Sequence, residues 1–347
     1  MKNGVRIVLP KQKDFYGIEN FSYKKKSDYI VVIGGANIDL KGKTFSRLVN
    51  YTSNPGEISM TAGGVGRNIA HNLGLLGTPV IFLSVVGDDD WGKKILNETS
   101  TAGVNVERVK VVGKSTSGVY MTILDEKGEM KVAVSDMKIC SKLEVIYVKS
   151  LENIIGKSRM VVMDTNLPED SIRYVCELCS RKGICLIVEP VSVEKSKKLK
   201  HLLDKIDYLT PNLDELETLA GQFKIGNDEG IFKAVEIIKA DGKGVKNVIL
   251  TLAERGVFLS GINIDYESKW KKELSGKFIP AIKTEVIETT GVGDALVAGF
   301  VYGLYKEIPA VKAIKYGIAA AALTICSPFS VNPNMCVNAL EDVAGKN

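Results

Sequence analysis

An α/β fold with a largely parallel central sheet is predicted here, and three observations carry that prediction. From Tyr29 onward, short apolar runs rich in β-branched residues alternate with stretches of helical apolar spacing, the pattern of parallel strands joined by crossover helices. Two segments, near 37–62 and 117–137, break the rhythm with strand-like pieces around Gly or Pro turns, which predicts a second, smaller sheet. The 347 residues, 45% hydrophobic and 25% charged, suit one large domain with a minor appendage.

Residues 1–27 mix seven basic with two acidic groups without sustained periodicity, so residues 1–28 are expected to form a leader ahead of a domain over 29–347. The run YIVVIGG opens that domain, followed by a helix through Asn68 to Leu76, the run VIFLSVVG and a helix after Asp90. RMVVMD, ICLIVE, DYLT and NVILTL continue as sheet strands with amphipathic stretches between them. The smaller sheet belongs over the carboxyl ends of the main strands, where open α/β sheets bind ligands. From Gly291 the pattern becomes helical, and the small residues of GVGDALVAGFVYGLY and AVKAIKYGIAAAALTIC predict close helix packing.

Charge and composition exclude several classes. The net charge of +5 is modest, and the lysines are scattered rather than banded with aromatics, which argues against a nucleic-acid partner. No apolar run reaches the roughly 18 residues of a membrane span, and the first residues lack a signal-peptide core, so a cytoplasmic protein without membrane contact is expected. Six irregularly spaced cysteines suit reduced thiols. Cys176 and Cys179 form a C-x-x-C pair, but on helical spacing, and the histidines are only His71 and His201, so metal binding is not expected there.

Four constellations could carry chemistry. GGANID places Asn37 and Asp39 after a buried strand, on one side of an extended segment, where amide and carboxylate can bond vicinal hydroxyls; alone, an ordinary polar turn explains them as well. AGGVGRNIAHNLGLLG runs a glycine loop containing Gly64 into a helix with Asn68 in its first turn, although Ile69 stands where a dinucleotide fingerprint needs its third glycine. TPNLDELETLAG sets Asn212 and Glu215 three apart at a helix start, suited either to holding water around a phosphate-bound magnesium ion or to a capping box. IETTGVGDALVAGF is the strongest. Its Gly291, Val292 and Gly293 can turn amides toward a transferring phosphoryl group, and Asp294 can take a proton from the attacking hydroxyl, although an Asp cap is the plainer reading of the piece alone. No Walker loop competes, because the GK[ST] triplets at Gly42, Gly113 and Gly156 have Asn37, Arg108 and Leu151 where a glycine is required.

Together and in this order, the four resemble the PfkB carbohydrate kinases, the family of ribokinase, over about residues 29–340. The resemblance implies a ribokinase-like three-layer fold with a small β-sheet lid, ATP and Mg2+ as cosubstrates, and a small-molecule acceptor. It implies sugar binding by Asn37, Asp39, Gly64 and Asn68, and an N-x-x-E motif in Asn212 and Glu215, the glutamate reaching magnesium through water. It implies Asp294 as catalytic base and the Gly291 to Asp294 amides as anion hole. VILTLAERGVFL matches the nucleotide-binding strand and turn, with Thr251 near the phosphates and Ala253 where a glycine is usual. Helix 309–325 and the loop 327–335 resemble the adenine-side wall.

The family's D-T-x-G-A-G-D appears as Glu288 to Asp294, with Glu288 replacing an Asp linked in relatives to a monovalent-cation loop, so activation by K+ is left open. ANID, NYTSNPGEI, GGVGRNIAHNLGLLG and VSDM resemble the pseudouridine-phosphorylating branch, and Val65 with Arg67 favours nucleosides over ribose. That branch usually reads N-D-M where Ser135, Asp136 and Met137 stand; Asp136 is carried over as substrate-binding, while Ser135 loses an amide's paired donor and acceptor. The implied reaction is ATP-dependent phosphorylation of the 5′-hydroxyl of pseudouridine. A kinase for another ribonucleoside, ribose or fructose is the nearest alternative, and a non-catalytic nucleoside-binding regulator the next. The second sheet could serve as a lid alone or also as a homodimer interface.

Overall fold

Fourteen strands and eleven α-helices lie within the residues that the computed structural model describes, 27–240, 243–261 and 276–345. In chain order the strands are β1 Ile30–Ile33, β2 Asn37–Thr44, β3 Gly56–Gly63, β4 Val80–Leu83, β5 Val85–Gly87, β6 Lys110–Val112 and β7 Gly118–Leu124. They continue as β8 Met130–Asp136, β9 Met160–Asp164, β10 Cys185–Glu189, β11 Tyr208–Leu209, β12 Asn247–Thr251, β13 Val257–Ser260 and β14 Lys277–Ile279. The helices are α1 Val65–Leu75, α2 Asp90–Thr101, α3 Val145–Ser150, α4 Glu152–Lys157, α5 Glu169–Lys182 and α6 Val193–Ser196. After these come α7 Leu213–Leu219, α8 Asp228–Lys239, α9 Val292–Tyr305, α10 Ala310–Ile325 and α11 Val337–Ala344. The leader expected over 1–28 lies outside the described residues except for its last two.

The central sheet runs β14-β13-β12-β11-β10-β9-β1-β4, parallel from β12 to β4 and antiparallel at β13 and β14. Its strands are apolar on both faces because both faces are covered. In β1, Ile30 and Val32 pack into one core with Ile69 of α1, Phe300 of α9, Ile314 of α10 and Leu340 of α11. Val31 and Ile33 face the other core, with Val148, Ile155, Val175, Leu216 and Ile231 from α3, α4, α5, α7 and α8. This is the ribokinase-like three-layer fold. Cys176 and Cys179 sit on the inward face of α5, fully buried, and burial pushes the Cys176 thiol up to about 12. The predicted close packing holds between α9 and α10, where a Cβ on Gly299 would lie 2.4 Å from the Tyr316 carbonyl oxygen.

VIFLSVVG, expected as one strand, divides at Ser84. That hydroxyl donates to the Gly34 carbonyl (2.6 Å), and the chain then leaves the main sheet so that β5 pairs with β6 in a separate two-stranded sheet. The smaller sheet has the order β3-β2-β7-β8, parallel between β2 and β7 and antiparallel elsewhere. Its register sorts the side chains by face. Thr61, Asp39, Tyr120 and Ser135 stand in one cross-strand row, and the next row of opposite parity is Met60, Leu40, Met121 and Val134. Ile58, Met60, Met121, Val132 and Val134 on the second face are exposed. Among the described residues, no helix is long and apolar enough to cross a membrane.

Candidate functional site

The carboxyl ends of β1 and β9 are tied to the start of α1 by one carboxylate. Asp164 Oδ2 accepts from the amides of Gly35 and Gly66, both at 2.8 Å. The backbones cross so closely that a Cβ on Gly66 would lie 2.6 Å from Gly34 Cα. Gly64, the residue before α1, has φ 101°, and its Cβ would meet the Gly35 carbonyl oxygen at 2.6 Å, so left-handed geometry and crowding both require glycine. Asp164 ends the run RMVVMD, and its position at a strand end was the one signal that could have marked it.

Around this crossing the structure gathers Asn37, Asp39, Asn68 and Asp294. The Asn37 side-chain amide donates to Asp39 Oδ1 (2.6 Å), and that of Asn68 donates to Asp294 Oδ2 (2.8 Å). Arg67 orients Asn68 from behind: its Nη1 donates to Asn68 Oδ1 (3.3 Å) and to the Ala62 carbonyl (3.1 Å), and its Nε to Thr99 Oγ1 (3.2 Å). Burial lowers the Arg67 guanidinium to about 10. Burial also raises the Asp39 carboxyl, partly offset by the Asn37 hydrogen bond. Asp294 is pushed up to about 7, by burial first, with the Asn68 bond opposing and the charges of Asp164 and Asp39 adding. A carboxylate with that shift is placed to exchange a proton near neutral pH.

Asp294 sits in the first turn of α9. Gly291, at the N-cap, has φ 79° and no side chain to bond the first amides, and a Cβ there would lie 2.0 Å from the Ser330 carbonyl oxygen. The amide donors that open a helix have no intrahelical acceptors, so the start of α9 can receive an anion. The preceding turn is built by Glu288, whose Oε1 accepts from the amides of Thr289 and Thr290, both at 3.0 Å, and from the Thr290 hydroxyl (2.8 Å). Its Oε2 forms an ion pair with Lys41 of β2, which the sequence did not mark.

A cleft of about 970 Å3 opens beside this turn. Asn212, Thr251, Thr289, Val292 and Gly293 line it, so Asn212 and Thr251, two of the three residues expected at the phosphates, meet the start of α9, while Glu215 is not among the lining residues. Asn212 and Glu215 form the full capping box: Asn212 Oδ1 accepts from the Glu215 amide (2.9 Å), and Glu215 Oε2 from the Asn212 amide (3.0 Å). Glu215 is buried, with its carboxyl raised by that burial. Glu189, at the end of β10, is raised well above the carboxylate range by burial, then by the charge of Glu215, with Asp294 adding a smaller push. Carboxyls that raise one another in this way would suit a magnesium ion that keeps its own waters. Among the described residues, no group of three or more His, Cys, Asp or Glu side chains could hold a metal directly.

Ala253, where the family resemblance implies a glycine, takes φ 49°. The position demands the left-handed region, which a glycine adopts without strain and an alanine adopts at a cost of about 1 kcal/mol. On the far wall, Ile318, Ala321, Ala322 and Ile325 of α10 line the cleft, as does the stretch Ala281 to Thr284, which showed no sequence signal. The loop 327–335 contributes no lining residue; its Ser330 instead closes over Gly291.

Asp136 is not brought to this group. It pairs with Val119 in the row of Ile38 and Ala62, on the opposite side of the sheet from Asp39, and accepts from the Lys138 amide (3.3 Å). The pleat inverts neighbours, so Ser135 shares the Asp39 row and Asp136 cannot.

The pfkB family carbohydrate kinase model matches residues 27–335. Pseudouridine kinase of Escherichia coli is 32% identical over 90% of this chain and 95% of its own length. Guanosine-inosine kinase of Exiguobacterium acetylicum is 26% identical over 86% of this chain and 94% of its own. Arabidopsis thaliana ribokinase, solved with ribose and ATP, superposes with a TM-score of 0.78 at 24% identity, covering 92% of this chain and 99% of that one. With the three-layer fold and this match, the chain belongs to the pfkB family of carbohydrate kinases and is an ATP-dependent nucleoside or sugar kinase.

Proposed function

We propose that the protein transfers the γ-phosphoryl group of ATP to the 5′-hydroxyl of pseudouridine, giving pseudouridine 5′-phosphate and ADP. The observation that carries the reading is Asp294, buried at the first turn of α9, bonded to Asn68 and held near neutrality. Asp294 accepts the hydroxyl proton as the nucleophile attacks in line, and the amides from Gly291 to Asp294 stabilise charge on the transferring group. Asn37, Asp39, Gly64 and Asn68 hold the ribose. Asn212 and Thr251 border the phosphates, Glu215 acts through water on the magnesium of MgATP, and the smaller sheet covers the sugar so that water does not take the phosphoryl group.

Pseudouridine is favoured by the likeness to the Escherichia coli enzyme and by the segments around Asp39, Asn68 and Ser135. Ser135 lies in the Asp39 row but offers a hydroxyl where an amide is usual, which favours keeping other nucleosides in the test. The exposed apolar row of Met60, Met121 and Val134 supports a homodimer formed back to back through the smaller sheet. A coupled ADP-release assay with MgATP against pseudouridine, uridine, inosine, guanosine, ribose and fructose tests the reading. The expected result is pseudouridine at the highest kcat/KM. A higher kcat/KM for another acceptor would transfer the assignment to it, and ATP binding without turnover on any would favour the regulator.

A further inference from the structure

Glu288 leaves no carboxylate oxygen open to a free cation. Its Oε1 is taken by three donors of its own turn, the Thr289 and Thr290 amides and the Thr290 hydroxyl, and its Oε2 faces the Lys41 ammonium. Lys41 reaches it from the smaller sheet, two residues beyond Asp39 and on the same face, across 247 residues of sequence. The pair therefore joins the strand that holds the sugar to the turn that precedes Gly291. Both side chains are partly shielded, at 30% and 22% exposure, so the contact is neither a free surface pair nor a buried one. A monovalent cation, which the family resemblance brings into question at this turn, does not fit beside a carboxylate already so engaged.

We propose that Lys41 is a positioning residue whose tethered ammonium takes the place of a monovalent cation beside the 288–290 turn, so that this enzyme works without added potassium and couples its sugar-binding strand to its anion hole. The inference rests on the phosphoryl-transfer reading of the site, though not on which acceptor is used. Lys41 has no part in proton transfer; it fixes the turn from which the amides of α9 project.

The test compares choline chloride with potassium chloride at equal ionic strength, on whichever acceptor the wild-type protein turns over. Wild-type kcat is expected to stay within about twofold between the salts, while Lys41→Met in choline falls about tenfold and recovers most of that loss in potassium. Lys41→Arg, which keeps a cation, is expected to stay within about threefold of wild type in both salts. Adding Glu288→Gln to Lys41→Met should cost little more, because the two residues act as one unit. Melting temperatures give a readout apart from turnover: potassium should raise that of Lys41→Met relative to choline and leave wild type unmoved. Potassium activation of wild type by about fivefold or more, an undiminished Lys41→Met, or a loss that potassium does not restore would each overturn the proposal. If wild type phosphorylates nothing, the phosphoryl-transfer reading fails, and the melting temperatures alone still decide whether Lys41 stands in for a cation.

Discussion

Helices α7 and α9 meet at the same cleft and begin in opposite ways. At α7 the chain caps itself: Asn212 and Glu215 exchange hydrogen bonds at 2.9 and 3.0 Å, which occupies two of the amides at the helix start. At α9 the N-cap is Gly291, which brings no side chain; the Val292 amide reaches only the Thr289 carbonyl, at 3.5 Å, and the amides after it are open to a ligand. A satisfied helix start builds structure, whereas an unsatisfied one held rigidly by its surroundings is available for binding. Here the rigidity comes from Glu288 bracing the preceding turn and from the Ser330 carbonyl lying over Gly291.

That contrast can be broken or sharpened by mutation. The largest effect is expected from Asp294→Asn, which keeps the shape of the α9 start and removes the proposed base. Steady-state kinetics should show a kcat loss of about 10²- to 10⁴-fold, with acceptor affinity by calorimetry nearly retained. Next comes Gly291→Ala, where a methyl must enter at φ 79° and 2.0 Å from a carbonyl oxygen. The displaced amides should cost about 10- to 100-fold in kcat, and the strain about 1–3 kcal/mol in denaturant unfolding. The smallest effects come from two caps of equal chemistry: Asn212 on α7, and Asn227, which does not line the cleft and whose Oδ1 accepts from the Gly230 amide at 2.9 Å on α8. Each Asn→Ala change should cost about 1 kcal/mol of stability, and only Asn212→Ala should also raise the KM for MgATP.

Much of the architecture was legible because it rests on local periodicity. The buried run Ile30–Ile33 and the small-residue face of α9 and α10 report their surroundings directly. Asn37, Asp39, Asn68 and Asp294 were legible as residues, whereas their meeting depends on the crossing of β1, α1 and α9, which Asp164 fixes from a distant strand. Lys41 and Glu189 gave no signal because a lysine in a strand and a glutamate at its end have ordinary local explanations; only the tertiary fold brings Glu288 to one and Glu215 to the other. Asp136 stands one residue of pleat away from the Asp39 row, since adjacency in sequence is opposition across a sheet.

The most direct test of the central claim, that Asp294 is the base at this helix start, is the pH dependence of kcat/KM. Burial raises the Asp294 carboxyl to about 7 from its ordinary 3.8, so the ionised, proton-accepting form is lost as pH falls through neutrality. The same shift means that stability falls as pH rises from about 3.8 to about 7, where the unfolded chain has released this proton and the folded one still holds it, and levels off above. Wild-type kcat/KM should fall about tenfold per pH unit on the acid side of an apparent pKa near 7, and the residual rate of Asp294→Asn should lack that limb. A wild-type profile level down to about pH 5, or an acid limb that survives in Asp294→Asn, would contradict the assignment.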